Sequence, residues 1–346
     1  MRRSIGVHVL VIALLMGACT SEADPAAERS TSLTTASTTS TMVVSATEDP
    51  STTSSSSTTT AATTTTAPVE PSEGFPVSLV SEAGPVIIVD RPQRIAALSS
   101  VFIEMLFAMG AGDQVVAGDV FSNYPPDADR LEKIDAFNLN LEAVIALDPD
   151  LVVLSFDPGS VVAGLAAVGI PTLQFPTATT LDGAYEQMYS LGAAAGRAGE
   201  AADLVAGIQE DIAAIVAGSD GNFAGVSYYV ETDPFTFYTP NTDSFIGQLF
   251  ALLGMENIAD AAPDEFGSGF PQLSPEFIIA ADPDVIFLAS FGETPSTVAS
   301  RSGWDSMSAV DRGAVVLLDP DVASRWGPRV VDLLEAITGA MAGLVQ

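Results

Sequence analysis

Few side chains in this chain can carry out covalent or metal chemistry. His8 is its only histidine and Cys19 its only cysteine. From Thr20 onward there is neither thiol nor imidazole, which excludes disulfides, cysteine nucleophiles, histidine triads and zinc sites built on Cys or His. There is no Gly-x-Ser-x-Gly elbow and no histidine to serve it as general base. Carboxylate or tyrosine chemistry stays open. What recurs instead is a carboxylate in a fixed setting. The segment Asn140-Leu-Glu142-Ala-Val-Ile-Ala-Leu-Asp148-Pro149-Asp150 continues into Leu151–Leu154, and Ser274-Pro-Glu276-Phe-Ile-Ile-Ala-Ala-Asp282-Pro283-Asp284 continues into Val285–Leu288. From Glu142 to Glu276 the offset is 134 residues. Asn140 and Ser274 read as helix N-caps, and Pro275 suits a first helical position. Glu142 and Glu276 then fall at the second position, where the helix dipole stabilises a negative charge.

The elements around these carboxylates follow from the same residues. Asp-Pro-Asp ends each short helix, because proline cannot continue it and disfavours helical geometry just before it. The fully apolar runs that follow suit central parallel strands. A repeat at this offset predicts two lobes of about 130 residues each. A strand at Arg94–Leu98, a turn into a second strand over Asp113–Gly118 and a strand at Ile170–Phe175 alternate with helices at Phe102–Met109 and Val161–Val168. In the second half, strands at Gly225–Val230 and Ala314–Leu318 flank a helix at Phe245–Leu253. Such alternation predicts an α/β fold of two Rossmann-like lobes with parallel sheets. Leu181–Gly218 is the longest helical stretch, divided at Gly196-Arg-Ala-Gly199. Within it Leu204, Ile208, Ile212 and Ile215 form an apolar stripe at helical spacing. A single helix joining two lobes would limit hinge motion. The domains expected are 1–19 as signal peptide, 20–74 as stalk, 75–198 as first lobe, 199–218 as connecting helix and 219–346 as second lobe.

Composition narrows the partners. The chain has 346 residues, 47% hydrophobic and 16% charged, with 44 acidic against 12 basic side chains and a formal charge of −32. A nucleic-acid surface needs clustered Lys and Arg to displace counterions. Here Lys133 is the only lysine and the eleven arginines are scattered. Nucleic acid and an anionic membrane held by charge alone are both excluded as partners.

The N-terminal region reads as export and tethering. Arg2 and Arg3 precede an apolar run from Val7 to Met16, too short to span a bilayer and suited to a secretory signal. Gly17-Ala18-Cys19 resembles a bacterial lipobox, which implies that Cys19 becomes a lipidated first residue. Met16 and Gly17 depart mildly from that pattern. Thr20–Gly74 holds no aromatic residue and is dense in Ser, Thr, Ala and Pro. Such a stretch cannot bury enough apolar surface to offset its ordering entropy. Its 55 residues would span roughly 40 Å as a flexible chain.

Several motifs in the folded part occur in a specific order. Arg91-Pro-Gln-Arg94-Ile-Ala-Ala-Leu98 leads to Glu104-Met-Leu-Phe-Ala-Met-Gly110-Ala-Gly-Asp113, then Tyr124-Pro-Pro126 and the two Glu/Asp-Pro-Asp repeats. Gly303-Trp304, Ala309-Val310 and Arg325-Trp-Gly-Pro328-Arg329 follow. Together they resemble the substrate-binding proteins of ABC importers for iron-siderophores, cobalamin and haem, the class III periplasmic-binding group with a helical backbone between its lobes. The resemblance covers nearly all of residues 75–346. It implies a ligand cleft between the lobes and one surface Glu on each lobe, Glu142 and Glu276, docking on arginines of the permease. The chain is most similar to the cobalamin-binding branch. By position in that branch, Phe121, Phe137 and Phe270 would contact ligand, with Asp321 and Arg325 in the corresponding C-terminal loop. Ile103 departs from the family, which often has Thr or Ser there. A chelated metal already has its ligands filled, so flat aromatic surface with a few polar groups suffices.

The expectation is an extracytoplasmic solute-binding lipoprotein. It captures a ferric siderophore or corrinoid and delivers it to an ABC permease. It catalyses nothing, holds no cofactor, works as a monomer and meets the membrane only through its lipid anchor. The alternative is a stalked adhesion or sensor domain using the same fold without import.

Overall fold

The structure is a computed structural model that describes residues 74–219 and 221–344. The expected signal peptide with Cys19, and all of the expected stalk but Gly74, lie outside the described residues. An antiparallel hairpin comes first, β1 (Val77–Ser81) and β2 (Gly84–Ile88). The first sheet holds β3 (Ile95–Leu98), β4 (Val115–Asp119), β5 (Glu132–Ile134), β6 (Leu151–Leu154) and β7 (Thr172–Gln174). Its order is β5-β4-β3-β6-β7, parallel throughout. Helices α1 (Ser100–Ala108), α2 (Leu141–Ala146) and α3 (Val161–Ala167) lie between its strands in sequence. Every residue of β3 and β6 is buried, as the unbroken apolar runs require.

Two helices follow, α4 (Leu181–Ala194) and α5 (Ala198–Ser219). Gly196 separates them at φ +67°, a left-handed geometry suited to glycine. The two helices approach closely, since a Cβ on Gly192 would stand 2.3 Å from the Cβ of Ala201. Val205, Ile208 and Ile212 are the buried stripe of α5, with Leu204 and Ile215 partly buried beside them. The second sheet holds β8 (Ser227–Glu231), β9 (Glu256–Asn257), β10 (Val285–Leu288) and β11 (Val315–Leu317), again parallel, in the order β11-β10-β8-β9. Its helices include α6 (Phe245–Leu252) and α7 (Pro275–Ala281). In each sheet the first strand lies inside, with later strands added on both sides. The strand order therefore reverses beside β3 and beside β8.

The repeated Asp-Pro-Asp does more than end a helix. Asp148 and Asp282 adopt positive φ, 51° and 45°. Asp150 accepts hydrogen bonds from the amides of Gln93 and Arg94 at 2.7 and 2.8 Å, just before β3 begins. Asp284 accepts from the amide and hydroxyl of Ser227 at 3.0 and 2.8 Å, at the start of β8. In both lobes the carboxylate preceding one central strand thus fixes the entry of its neighbour, and the registers Ile95↔Leu151 and Tyr228↔Val285 follow. This also explains why β3 starts one residue later than expected. Arg94 turns its guanidinium back onto the carbonyls of Leu147 and Asp148, capping α2.

Partial burial pushes the Asp284 carboxyl upward, but the bonds from Ser227 and Arg312 outweigh it and hold the carboxyl below its ordinary range. A depressed carboxyl contributes stability above its unfolded-state pKa and loses it as pH falls through the folded value. Asp284→Asn is expected to lower stability by about 1 kcal/mol at pH 7. The difference from the parent should shrink as urea denaturation is repeated down to pH 3.

Candidate functional site

Open parallel sheets bind ligands outside the carboxyl ends of their strands, where the strand order reverses. In the first lobe that edge carries three phenylalanines, Phe121 beyond β4, Phe137 beyond β5 and Phe156 beyond β6. Their rings form a row. Phe121 meets Phe137 edge-on at 6.2 Å between centroids, and Phe137 meets Phe156 at 5.3 Å. All three stay exposed, at 51%, 58% and 39%. The second lobe presents Phe235 beyond β8, Phe291 beyond β10, and Phe266 and Phe270 in the loop before α7, all exposed as well. Contiguous exposed apolar surface of this kind marks a binding site rather than ordinary surface.

A recurring turn presents four of these rings. The Asp119 carboxylate accepts the amide of Phe121 at 2.7 Å, Asp135 that of Phe137 at 3.0 Å, and Asp233 that of Phe235 at 2.8 Å. Asp264 does the same for Phe266 and also accepts from Ser268 and Gly269. An Asx turn of this kind shapes the backbone with the aspartate two residues earlier, so the ring is left out of the packing. Ser268 plays the part for Phe270, its hydroxyl accepting the Phe270 amide at 3.1 Å.

Asp321 and Arg325 adjoin the phenylalanine row, in a different role from the one sequence suggests. Arg325 is not an open cation, being only 5% exposed. Its guanidinium reaches Glu104 of α1, the Asn123 side-chain oxygen at 3.0 Å, the Phe121 carbonyl at 3.1 Å and Asp321 at 2.9 Å. Arg329 closes the cluster with bonds of 2.9 and 2.6 Å to the same Glu104 carboxylate, and lies 4.3 Å from the Tyr124 ring centroid. Asn123 donates to Asp321 at 2.6 Å. The segment that follows the second sheet is thereby fastened to the first lobe, directly behind Phe121. Glu104 is 2% exposed. Sequence reasoning passed over it as a site residue, although a lone carboxylate within Val101–Met109 can be buried only if paired. Ile103 is fully buried beside Gly118, so it belongs to the core.

The remaining expected residues divide as follows. Glu142 and Glu276 sit at the second positions of α2 and α7, both exposed. Asn140 and Ser274 cap the helices by accepting from Ala143 and Phe277 at 3.1 Å. In the second lobe Tyr228 and Tyr229 are core, while Phe235 is exposed. Phe156 has one legible signal, an aromatic residue two positions past a central strand.

Comparison with known proteins decides the family. Residues 95–322 match the model of a family described as periplasmic binding protein. The chain belongs to the periplasmic binding protein family. An uncharacterized ABC transporter substrate-binding lipoprotein, YvrC of Bacillus subtilis, is 30% identical over 77% of this chain and 85% of its own length. A cobalamin-binding protein of Halobacterium salinarum is 29% identical over 77% of this chain and 74% of its own. Among solved structures, that of an ABC-type Fe3+-hydroxamate transport system from Saccharomonospora viridis matches with a TM-score of 0.63 at 25% identity, covering 77% of this chain and 99% of that one. The α/β fold with parallel sheets expected from sequence is that of the solved relative, and the B. subtilis and H. salinarum relatives are named as substrate-binding and cobalamin-binding proteins. The adhesion and sensor alternative finds no support among them.

Removing one partner of a buried ion cluster leaves the others uncompensated, so Glu104→Ala is expected to cost about 3–5 kcal/mol. A urea titration should show this as a lower midpoint. Loss below 1 kcal/mol would mean that the cluster does not hold the lobes together.

Proposed function

We propose that this protein is the extracytoplasmic solute-binding component of an ABC importer. It captures a metal chelate, a corrinoid or a ferric siderophore, between its lobes and hands it to a permease. The observation that carries the reading is the row Phe121–Phe137–Phe156 at the carboxyl edge of the first sheet, with Phe270 likewise exposed in the second lobe. Flat apolar rings suit a macrocycle or the organic shell of a chelated metal, whose coordination is already filled. The names of the B. subtilis and H. salinarum relatives support the same assignment. Among the described residues Glu142 and Glu276 are exposed carboxylates without a protein partner, one on each lobe at matched helix positions. That is the placement expected of two contacts with arginines of a permease. Cys19 anchors the protein by a lipid, each buried CH₂ contributing about 0.8 kcal/mol. The protein works as a monomer.

Two measurements test this. Cyanocobalamin, cobinamide and ferric trihydroxamates are offered to the purified chain, and Trp fluorescence and thermal shift are followed. A bound ligand raises the midpoint by RT ln(1 + [L]/Kd). Alanine at Phe121, Phe137 or Phe156 should each weaken binding about five- to tenfold. Glu142→Arg combined with Glu276→Arg should leave affinity intact and abolish uptake by cells. Undiminished uptake in that double variant would refute the docking assignment.

A further inference from the structure

The chelate reading leaves the charge of the cargo open, and the distribution of cations closes it. We propose that the cleft takes neutral or cationic chelates and turns away polyanionic ones, and that Glu104 sets this selectivity by holding Arg325 and Arg329. This rests on the site proposed above and specifies its substrate class.

Among the described residues every Arg and Lys already donates to a protein oxygen. The two guanidiniums closest to the phenylalanine row are the ones held most completely. Arg325 bonds Glu104 and Asp321, and Arg329 bonds both oxygens of Glu104. Two positive charges thus meet two carboxylates within one largely buried cluster. Lys133, on β5 behind Phe121, turns its ammonium onto the carbonyls of Ser122 and Ala128. The nearest groups on the ring-bearing loops are carboxylates, since Asp119, Asp135, Asp233 and Asp264 each precede an exposed ring by two residues. In the second lobe Arg301 is taken by Glu231 and Glu293. An anionic chelate entering here would find no uncommitted cation. It would also pass carboxylates whose repulsion is stronger in a partly desolvated cleft than in water. A neutral or cationic chelate meets rings and acceptors, with cation–π attraction available to the latter.

The experiment compares affinities of the full chain for cyanocobalamin, a neutral ferric trihydroxamate and a ferric tris-catecholate of charge −3. The parent should bind a neutral probe at least about tenfold more tightly than the catecholate. Glu104→Gln keeps a hydrogen-bond acceptor but releases one unit of positive charge. It should raise catecholate affinity about tenfold while moving neutral-probe affinity little, and the gain should fade in high salt. Asp321→Asn, at the more exposed end of the cluster, provides the same reading if Glu104→Gln does not fold. A merely structural role would change all affinities together. A parent that binds the catecholate as tightly as the neutral probes, or variants that leave their ratio unchanged, would overturn the charge assignment while the chelate reading stands. Binding of none of the probes would remove the chelate reading and this inference with it.

Discussion

A single carboxylate, Glu104, holds the two halves of this molecule in one arrangement. It lies on a helix whose other buried residues are apolar, and two guanidiniums converge on it. Both arginines arrive from the far end of the chain, after the second sheet is complete. The contact therefore closes a loop of more than two hundred residues. Arg325 also donates to the Phe121 carbonyl. Bending about α5 would have to break several charge-assisted bonds together. The lobes are thus fastened both covalently by a helix and electrostatically by this cluster.

The two lobes solve the same problems with the same parts, and the places where they diverge are informative. Asp150 and Asp284 fix matching strand entries. Each lobe also buries one glutamate near the carboxyl end of its first central strand. Glu231, at the end of β8, pairs with Arg301, which lies 4.6 Å from the Trp304 ring centroid, so this pair stays within its lobe. Glu104 instead recruits partners from the other lobe. Each half thus holds one buried glutamate, and only Glu104 pairs with residues beyond the second sheet.

Much of this was readable from residue order. The N-caps at Asn140 and Ser274, the central strands at 151–154 and 285–288 and the stripe on α5 are set by interactions within a few residues, and they appear where local chemistry puts them. Phe121, Phe137 and Phe270, which the family resemblance marks as ligand contacts, are exposed. What could not be read was pairing across long separations. The Glu104 partner of Arg325 lies 221 positions away. The role of Asp150 was hidden for the same reason, since its donors are more than fifty residues earlier. Phe156 lies two positions beyond the strand that sequence defines, and that position is its one local signal.

The aspartate turns under the phenylalanines have a further consequence. Because the backbone at each is shaped by a carboxylate two residues before, the ring itself holds nothing in place. Replacing Phe121, Phe137, Phe235 or Phe266 by another side chain leaves the turn's hydrogen bond intact. The exposed rings can therefore drift during evolution almost independently of the scaffold. Such an uncoupling lets one architecture present diverse surfaces through changes that natural selection can sample one at a time.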